Sequence, residues 1–326
     1  LASLDRALQR LSDGDLTGIF LAAGSYTVDG DLWARVQDEL ATRGAVLSLR
    51  GGFQSGSWQP DAAPSVLGVA GQTTVDLRAG LNLSNLRISQ ALRFEPDADA
   101  GAILLRLERV VIERRPAETA LTVRAGRLEL RDSAIGGVIQ LLQGTVGRLE
   151  NISGDGIVVS GARLEALGGT LGQISMSGGA RGSLEQLGIS GNSDEVPGRA
   201  LLDLDRGTLT LAGVTIAAEG RDAIGIRSRD AQLTIRDSSV AASGATTALA
   251  VRGSGSEIRI LNSSLVARAE SAYGASLRGG SLSVDRGAVH ATGLNDAVGL
   301  VAVQTELNLR SSVVWTTGRN GRSSLS

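Results

Sequence analysis

The 326-residue sequence has no cysteine and no lysine, and it is poor in proline and aromatic residues. Without cysteine there can be no disulfides and no thiolate metal sites. All 32 basic residues are arginine, and no basic run stands out against a net charge of −2, which argues against a nucleic-acid ligand. No apolar stretch reaches the roughly 18–20 residues that span a bilayer, so we expect no transmembrane segment.

The few aromatic residues are unevenly placed along the chain. Only Phe94, Tyr273 and Trp315 occur after residue 70. Aromatic rings are the usual flat platforms of binding surfaces, so their scarcity argues against sugar processing along most of the chain. Glycine is abundant at 44 residues while proline stands at 5, a composition that suits many bends between short strands rather than disorder.

The sequence contains a repeat of 24 or 25 residues between positions 202 and 316. The first apolar residues of its five clearest copies are Leu209, Leu233, Ile258, Leu282 and Leu307. Further apolar residues follow two and seven positions later, and residues two apart lie on one face of a strand. Four positions after the first apolar residue, residue types that mostly tolerate a left-handed turn recur, at Gly213, Asp237, Asn262, Arg286 and Ser311. Each copy therefore predicts a strand, a bend and a second strand, and an upstream apolar pair adds a third.

Short strands at a fixed period bury their apolar faces only by stacking on neighbouring copies. We therefore predict an all-β fold, a single-stranded right-handed parallel β-helix of about eleven coils with three short strands per coil. Residues 3–12 place Leu4 and Leu8 on one helical face, which predicts a short N-terminal helix capping the first coil. The first apolar positions of the earlier coils are assigned to Leu81, Leu105, Leu128, Leu149, Leu164 and Leu184.

We predict one continuous domain with three parts. Residues 1–70 form the N-terminal cap and first strands, 71–316 the coils, and 317–326 a C-terminal tail. The last coil ends at Trp315 without an evident cap, and an uncapped sheet edge invites pairing with other chains. Self-association into a homo-oligomer through this coil is therefore an expectation.

The N-terminal block contains five stretches with a shared likeness: Ser3–Leu8, Ile19–Thr27, Leu47–Phe53, Gly56–Trp58 and Thr73–Ile88. Together they resemble the start of exported bacterial pectin-lyase-like parallel β-helix proteins. The resemblance implies the β-helix fold and an extracytoplasmic location, in the periplasm or at the cell surface. It implies no single activity, since members of that family include polysaccharide lyases, hydrolases and adhesins, and a fold alone does not give a function.

The best candidate for chemistry is a pair of carboxylates, Asp203 and Asp205, in the segment LLDLDRG. If the neighbouring leucines point inward, both carboxylates point outward. Aligning the coils places Arg227 and Arg252 near Asp205, and this group could hold an anionic sugar or a cation. An ordinary salt-bridged outer face is the alternative interpretation.

A second candidate face comes from three copies of the tripeptide Arg-Leu-Glu, which start at Arg127, Arg148 and Arg163. We expect the copies to stack with leucine inward and both charges outward. The stack is interpreted as a charged face that discourages aggregation, or else as a ligand or partner face. The residues concerned are Arg127, Glu129, Arg148, Glu150, Arg163, Glu165 and Glu185.

The single histidine, His290, is predicted to be a surface residue in a bend beside Val289. Because acid–base motifs are missing, the sequence favours a non-enzymatic exported scaffold, with no cofactor and no metal, whose partner is another protein or a cell-envelope polysaccharide. Two alternatives remain open. One is a polysaccharide lyase or glycoside hydrolase acting on an acidic glycan, and the other is a non-catalytic carbohydrate-binding module.

Overall fold

The computed structural model describes residues 4–12, 18–57, 59–60, 63–96, 103–113, 118–192, 200–318 and 320–322. The chain divides into two compact units, Leu1–Gly156 and Ile157–Ser326. The regular structure of the described ranges is almost entirely β-strand, with two helices, so the prediction of an all-β fold is confirmed. Neither of these helices has the length and apolar character needed to cross a membrane.

The first unit holds both helices, α1 (Leu4–Ser12) and α2 (Gly30–Arg43). Strand β14 (Val146–Ser160) begins in this unit and ends in the second. The other strands are β1 (Gly18–Ala22), β2 (Ser25–Val28), β3 (Val46–Phe53), β4 (Ser65–Val69), β5 (Thr74–Leu77), β6 (Gly80–Ser84), β7 (Leu86–Ile88), β8 (Ala91–Phe94), β9 (Leu104–Glu108), β10 (Val111–Ile112), β11 (Thr119–Val123), β12 (Arg127–Arg131) and β13 (Ala134–Leu141).

Strands in the first unit pair in parallel with the strand one turn later, and three strands complete one turn. Thus β3 pairs with β6, β6 with β9 and β9 with β12. These strands, with β1 and the start of β14, form a stack that we call column A. Column B contains β2, β4, β7, β10 and the start of β13, and column C contains β5, β8, β11 and the end of β13.

The second unit repeats this order, and its longer strands bend from one column into the next. The strands of the second unit are β15 (Arg163–Ser177), β16 (Arg181–Glu185), β17 (Gly188–Asn192), β18 (Leu202–Asp205), β19 (Thr208–Ala212), β20 (Thr215–Arg229), β21 (Gln232–Arg236), β22 (Ser239–Leu261), β23 (Ser264–Asp285), β24 (Ala288–Val303), β25 (Glu306–Arg310), β26 (Val313–Thr317) and β27 (Asn320–Arg322). Column A here contains the start of β15, then β16, β19, β21, the ends of β22 and β23, and β25, all paired in parallel. Column B contains the middle of β15, then β17, the starts of β20, β22, β23 and β24, and β26. Column C contains the end of β15, then β18, the end of β20, the middle parts of β22 and β23, the end of β24, and β27.

The repeat found in the sequence is a physical stack in the second unit. The first apolar residues of the five copies are register partners from one turn to the next, which confirms that prediction; they are Leu209, Leu233, Ile258, Leu282 and Leu307. The first four are almost fully buried, as expected for side chains that share one apolar interior. The number of coils and the right-handed sense of the coil stay predictions.

For two of the coils before residue 202, the residue predicted to be the first apolar position is wrong. Leu128 is in register with Gly147, and Leu164 is in register with Gly182. The leucines assigned there, Leu149 and Leu184, lie two residues further along their strands. At Gly147 a Cβ atom would lie 2.5 Å from Cδ1 of Leu141, so a leucine from another strand fills the interior where a larger residue would otherwise stand.

The bend between columns A and B uses the left-handed backbone that the sequence predicted. At Asp237, Asn262 and Arg286 the φ angles are 51°, 46° and 52°. The backbone N–H of Asp237 donates to Leu261 O at 3.1 Å, one turn later. The turn residue thus links successive turns by a hydrogen bond instead of leaving its N–H without a partner.

Directly after the left-handed residue, several turns carry a buried serine that links two turns. Ser238 Oγ accepts from Val214 N at 3.0 Å and donates to Arg236 O at 2.6 Å. Ser263 Oγ likewise accepts from Ser238 N at 3.1 Å and donates to Leu261 O at 2.7 Å. These hydroxyls satisfy backbone groups at the bend, where the regular strand pairing is interrupted.

Helix α2 takes the column C position of the first turn. Its Trp33 Nε1 donates to Asp76 O at 3.2 Å, and Gln37 Oε1 accepts from the backbone N–H groups of Arg78 and Ala79. Backbone groups at the end of β5 therefore find partners on the helix in the absence of an earlier strand.

Helix α1 confirms the helix predicted over residues 3–12, except that Ser3 lies outside the described residues. Leu4 and Leu8 are buried, and the helix packs against α2 and β2. The apolar face read from the sequence is therefore the face that contacts the rest of the unit.

We expect Ser263→Ala to lower the free energy of unfolding by about 1–3 kcal/mol, because it leaves the buried N–H of Ser238 without an acceptor. Urea unfolding followed by far-UV circular dichroism measures the change. The matched control is Ser283→Ala on column A, whose half-buried hydroxyl has no hydrogen-bond partner in the described part of the chain. Equal losses for the two variants would contradict the role assigned to the buried serine.

Candidate functional site

The outer side of column C in the second unit carries the carboxylate pair found in the sequence. On β18, Leu202 and Leu204 are fully buried while Asp203 and Asp205 alternate with them and face outward. The side chains of the two aspartates are 16% and 27% exposed. Both carboxylates are therefore reachable from the surface, though Asp203 only in part.

The register of column C corrects the partners expected for these carboxylates. Arg227 and then Arg252 are in register with Asp203, whereas they were expected beside Asp205. Asp205 is instead in register with Arg229. The separation of 24 residues between Asp203 and Arg227 equals the repeat period, so the sequence itself carried the signal for the correct alignment.

Asp203 is engaged by arginine through both carboxylate oxygens. Arg227 Nε donates to Asp203 Oδ1 at 3.0 Å, and Arg227 Nη2 contacts Asp203 Oδ2. The Arg227 side chain is 23% exposed, and its hydrogen bond to Asp203 raises the pKa of Arg227 although burial acts in the opposite direction. A bidentate pair of this kind is strong and holds both side chains in place. The pair can orient a ligand, but its carboxylate is already neutralised.

Asp205 and Arg229 extend this network. Arg229 Nη2 lies 3.8 Å from Asp203 Oδ2, and Arg229 Nε lies 3.9 Å from Asp205 Oδ1. Arg206 Nη2 approaches Asp205 Oδ2 to 3.3 Å. Each of the two carboxylates therefore lies within 4 Å of two guanidinium groups.

The next two turns of column C add arginines without carboxylates. Arg252 lies one turn beyond Arg227, and Arg278 lies one turn further, in register with Ser254. Both are exposed, and neither has an ion-pair partner among the residues that the structure describes. We call the set the arginine face; it consists of Arg227, Arg229, Arg252 and Arg278 with Asp203 and Asp205. Its four guanidinium groups against two carboxylates give it a net positive charge.

The Arg-Leu-Glu copies do not stack as expected. Because Leu128 pairs with Gly147, the second copy slips by two residues, so that Glu129 is in register with Arg148 and Glu150 with Arg131. In the second unit Arg163 is in register with Arg181, Glu165 with Ser183, and Glu185 with Leu167 and Ala212. In the first unit the slip puts opposite charges beside each other, which removes the repulsion that stacked copies would create there.

The slipped register produces a cleft on column A of the first unit. Its volume is about 340 Å³, and three arginines alternate with three glutamates around it: Arg106, Glu108, Glu129, Arg131, Arg148 and Glu150. Arg106 Nη2 lies 2.7 Å from Glu129 Oε2, and Arg131 Nε donates to Glu150 Oε2 at 2.9 Å. The hydrogen bond to Glu150 raises the pKa of Arg131. Sequence reasoning missed this cleft because it aligned the identical tripeptides.

The histidine is not in a bend. His290 lies within β24, in register with Trp315, and the two rings stack with centroids 4.5 Å apart at 25°. His290 Nε2 is 3.1 Å from Thr292 Oγ1 and 3.4 Å from Thr317 Oγ1. The bend assignment was therefore wrong, although both aromatic residues directly follow matched apolar positions of the repeat, which is a readable signal for the stack.

Comparison with known proteins gives likenesses of shape at low sequence identity. No protein-family model and no curated protein sequence matches the chain. The catalytic domain of a GH87 α-1,3-glucanase in complex with nigerose is similar over 99% of this chain, with 12% identity and a TM-score of 0.43. The match covers 66% of that domain, so this chain spans about two thirds of the domain's length. The A-module of the Azotobacter vinelandii mannuronan C-5 epimerase AlgE6 is similar over 100% of this chain and 96% of the module, with 13% identity and a TM-score of 0.30. At these scores neither likeness assigns an activity to this chain.

We expect Asp203→Asn to lower the free energy of unfolding by about 1–3 kcal/mol, because Arg227 loses the charged acceptor of a partly buried bidentate pair. Denaturant titration of the intact protein measures the loss. Glu257→Gln is the matched control, because its pair with Arg259 is exposed and should contribute less than about 1 kcal/mol. If the control loses as much stability as Asp203→Asn, the Asp203 pair has no special structural role.

Proposed function

We propose that this protein binds an acidic polysaccharide along the arginine face of its second unit, and that it does so without cleaving the polymer. The observation that carries this proposal is the pair Arg252 and Arg278, exposed on consecutive turns without carboxylate partners in the described part of the chain. Two unpaired guanidinium groups beside an already neutralised Asp203–Arg227 pair leave positive charge available for a ligand.

The arginine face holds its guanidinium groups close enough together for one polymer chain to contact several of them. Neighbouring turns lie about 4.8 Å apart, so Arg227 and Arg252 follow each other at that interval. Arg278 is one turn and two residues from Arg252, a diagonal of about 8 Å. Guanidinium groups bind carboxylates through two parallel hydrogen bonds, which makes a chain of uronic acids a better match than a neutral glycan.

The state of the carboxylates favours binding over catalysis. A general acid or base must exchange a proton with the substrate, and a carboxylate engaged by arginine on both oxygens is poorly suited to that task. Asp203 is therefore interpreted as the residue that orients Arg227 for the ligand.

Cleavage of an acidic glycan is the second candidate function, and the cleft of the first unit favours it. Glu108, Glu129 and Glu150 line that cleft together with three arginines. Glycoside hydrolysis uses a pair of carboxyl groups flanking the bond that breaks. Incubation with oligouronides and chromatography of the products tests this function, and a time-dependent appearance of shorter chains would replace the non-catalytic proposal.

Three further properties belong to the proposal. The protein is exported to the periplasm or the cell surface, its partner is a cell-envelope polysaccharide rather than another protein, and copies associate through the last coil of the second unit. Fractionation of cells tests the location. Light scattering over a wide concentration range tests the association, and a constant monomer mass would rule it out.

The double variant Arg252→Gln, Arg278→Gln should bind hexagalacturonate at least tenfold more weakly than the unaltered protein, since two charge-assisted contacts are lost. Isothermal titration calorimetry measures the affinity, which should also fall as salt is added. Arg259→Gln is the control, because Arg259 lies on column A in an exposed pair with Glu257. Equal binding of neutral maltohexaose, or an unchanged affinity of the double variant, would refute the arginine face as the binding surface.

A further inference from the structure

A half-buried tyrosine lies on the same strand as the end of the arginine face. Tyr273 on β23 stands between the buried residues Ala272 and Gly274, so its own side chain faces outward. Its register partners on the adjacent turns are Leu249 and Val298, which are also half-buried. Column C therefore carries a strip of apolar side chains with one aromatic ring at its centre.

The strand brings this strip close to the arginines. Gly274 and Ala275 are both buried, so the alternation slips by one residue and both Tyr273 and Ser276 face outward. Ser276 is the register partner of Arg252, and three residues of strand, about 10 Å, separate it from Tyr273. An extended ligand held by Arg252 can reach the ring by continuing along the strand.

The chemistry of Tyr273 distinguishes classes of anion. Its hydroxyl has no hydrogen-bond partner among the described residues, so it remains available to a ligand as donor and acceptor. Its ring offers a flat apolar surface next to that polar end. A sugar ring has an apolar face of C–H groups and a rim of hydroxyls, whereas a polyphosphate has neither.

We propose that Tyr273 is a specificity-determining residue that packs against one sugar ring of the bound polymer, so that the ligand class is a polyuronate and not any flexible polyanion. This inference rests on the proposed function of the arginine face. It assigns charge recognition to Arg252 and Arg278 and recognition of the ring to Tyr273.

Two probes separate these roles: hexagalacturonate, which has rings and carboxylates, and inorganic polyphosphate, which has charge alone. Calorimetric titration of Tyr273→Ala should show about fivefold weaker binding of hexagalacturonate, the size of one aromatic contact, and unchanged binding of polyphosphate. Tyr273→Phe should keep at least half of the affinity if ring packing is the main contribution. Trp315→Ala on column B is the matched aromatic control and should bind both probes like the unaltered protein.

Each outcome decides one claim. If Tyr273→Ala binds both probes unchanged, or loses both equally, Tyr273 has no selective role, while the arginine face stands as long as Arg252→Gln, Arg278→Gln weakens both probes. If the arginine variant binds normally, the arginine face is refuted whatever Tyr273 does. If the unaltered protein does not bind hexagalacturonate, both claims fall. Thermal unfolding of every variant confirms that a lost affinity does not come from a lost fold.

Discussion

Parallel backbone pairing between successive turns is the constraint on which the rest of each unit depends. Once a residue is paired with its equivalent one turn later, inward positions join a continuous apolar file and outward positions form rows of side chains at about 4.8 Å intervals. Leu209, Leu233 and Ile258 illustrate the inward file, and Asp203, Arg227 and Arg252 an outward row. The left-handed residue and the serine at the bend keep this register where strand pairing is interrupted.

The fold could be anticipated wherever the period is regular and the inward residues are large. The five copies between 202 and 316 meet both conditions, and their alignment was correct. The turns around Gly147 and Gly182 do not meet them, because an inward glycine gives no apolar residue from which to align the repeat. At Gly147 the missing volume is filled by Leu141 on another strand. Such compensation between residues of different strands depends on three-dimensional packing, which the apolar pattern of the sequence does not reveal.

The candidate site was predictable in part for the same reason. Alternation alone placed Asp203 and Asp205 on the outside, because their leucine neighbours had to be inside. Assigning arginine partners to these aspartates required the strand register. The 24-residue period gives the correct partner, Arg227, when it is counted from Asp203 rather than from Asp205. The cleft of the first unit could not be predicted, because the repeated tripeptides suggest the wrong strand register. Arg127 and Arg148 start identical tripeptides, yet they are not register partners.

The slip of the Arg-Leu-Glu copies has a consequence for how such surfaces can evolve. Sliding a strand by two residues keeps Leu149 in the interior, opposite Leu130, yet exchanges every charge partner on the outside. Sliding by one would expose the leucines and bury the charges. Insertions and deletions of even length in a coil of this type therefore keep inward residues inward while they change which charges lie side by side. The interior has to fill any volume that the shift leaves empty, as Leu141 does at Gly147.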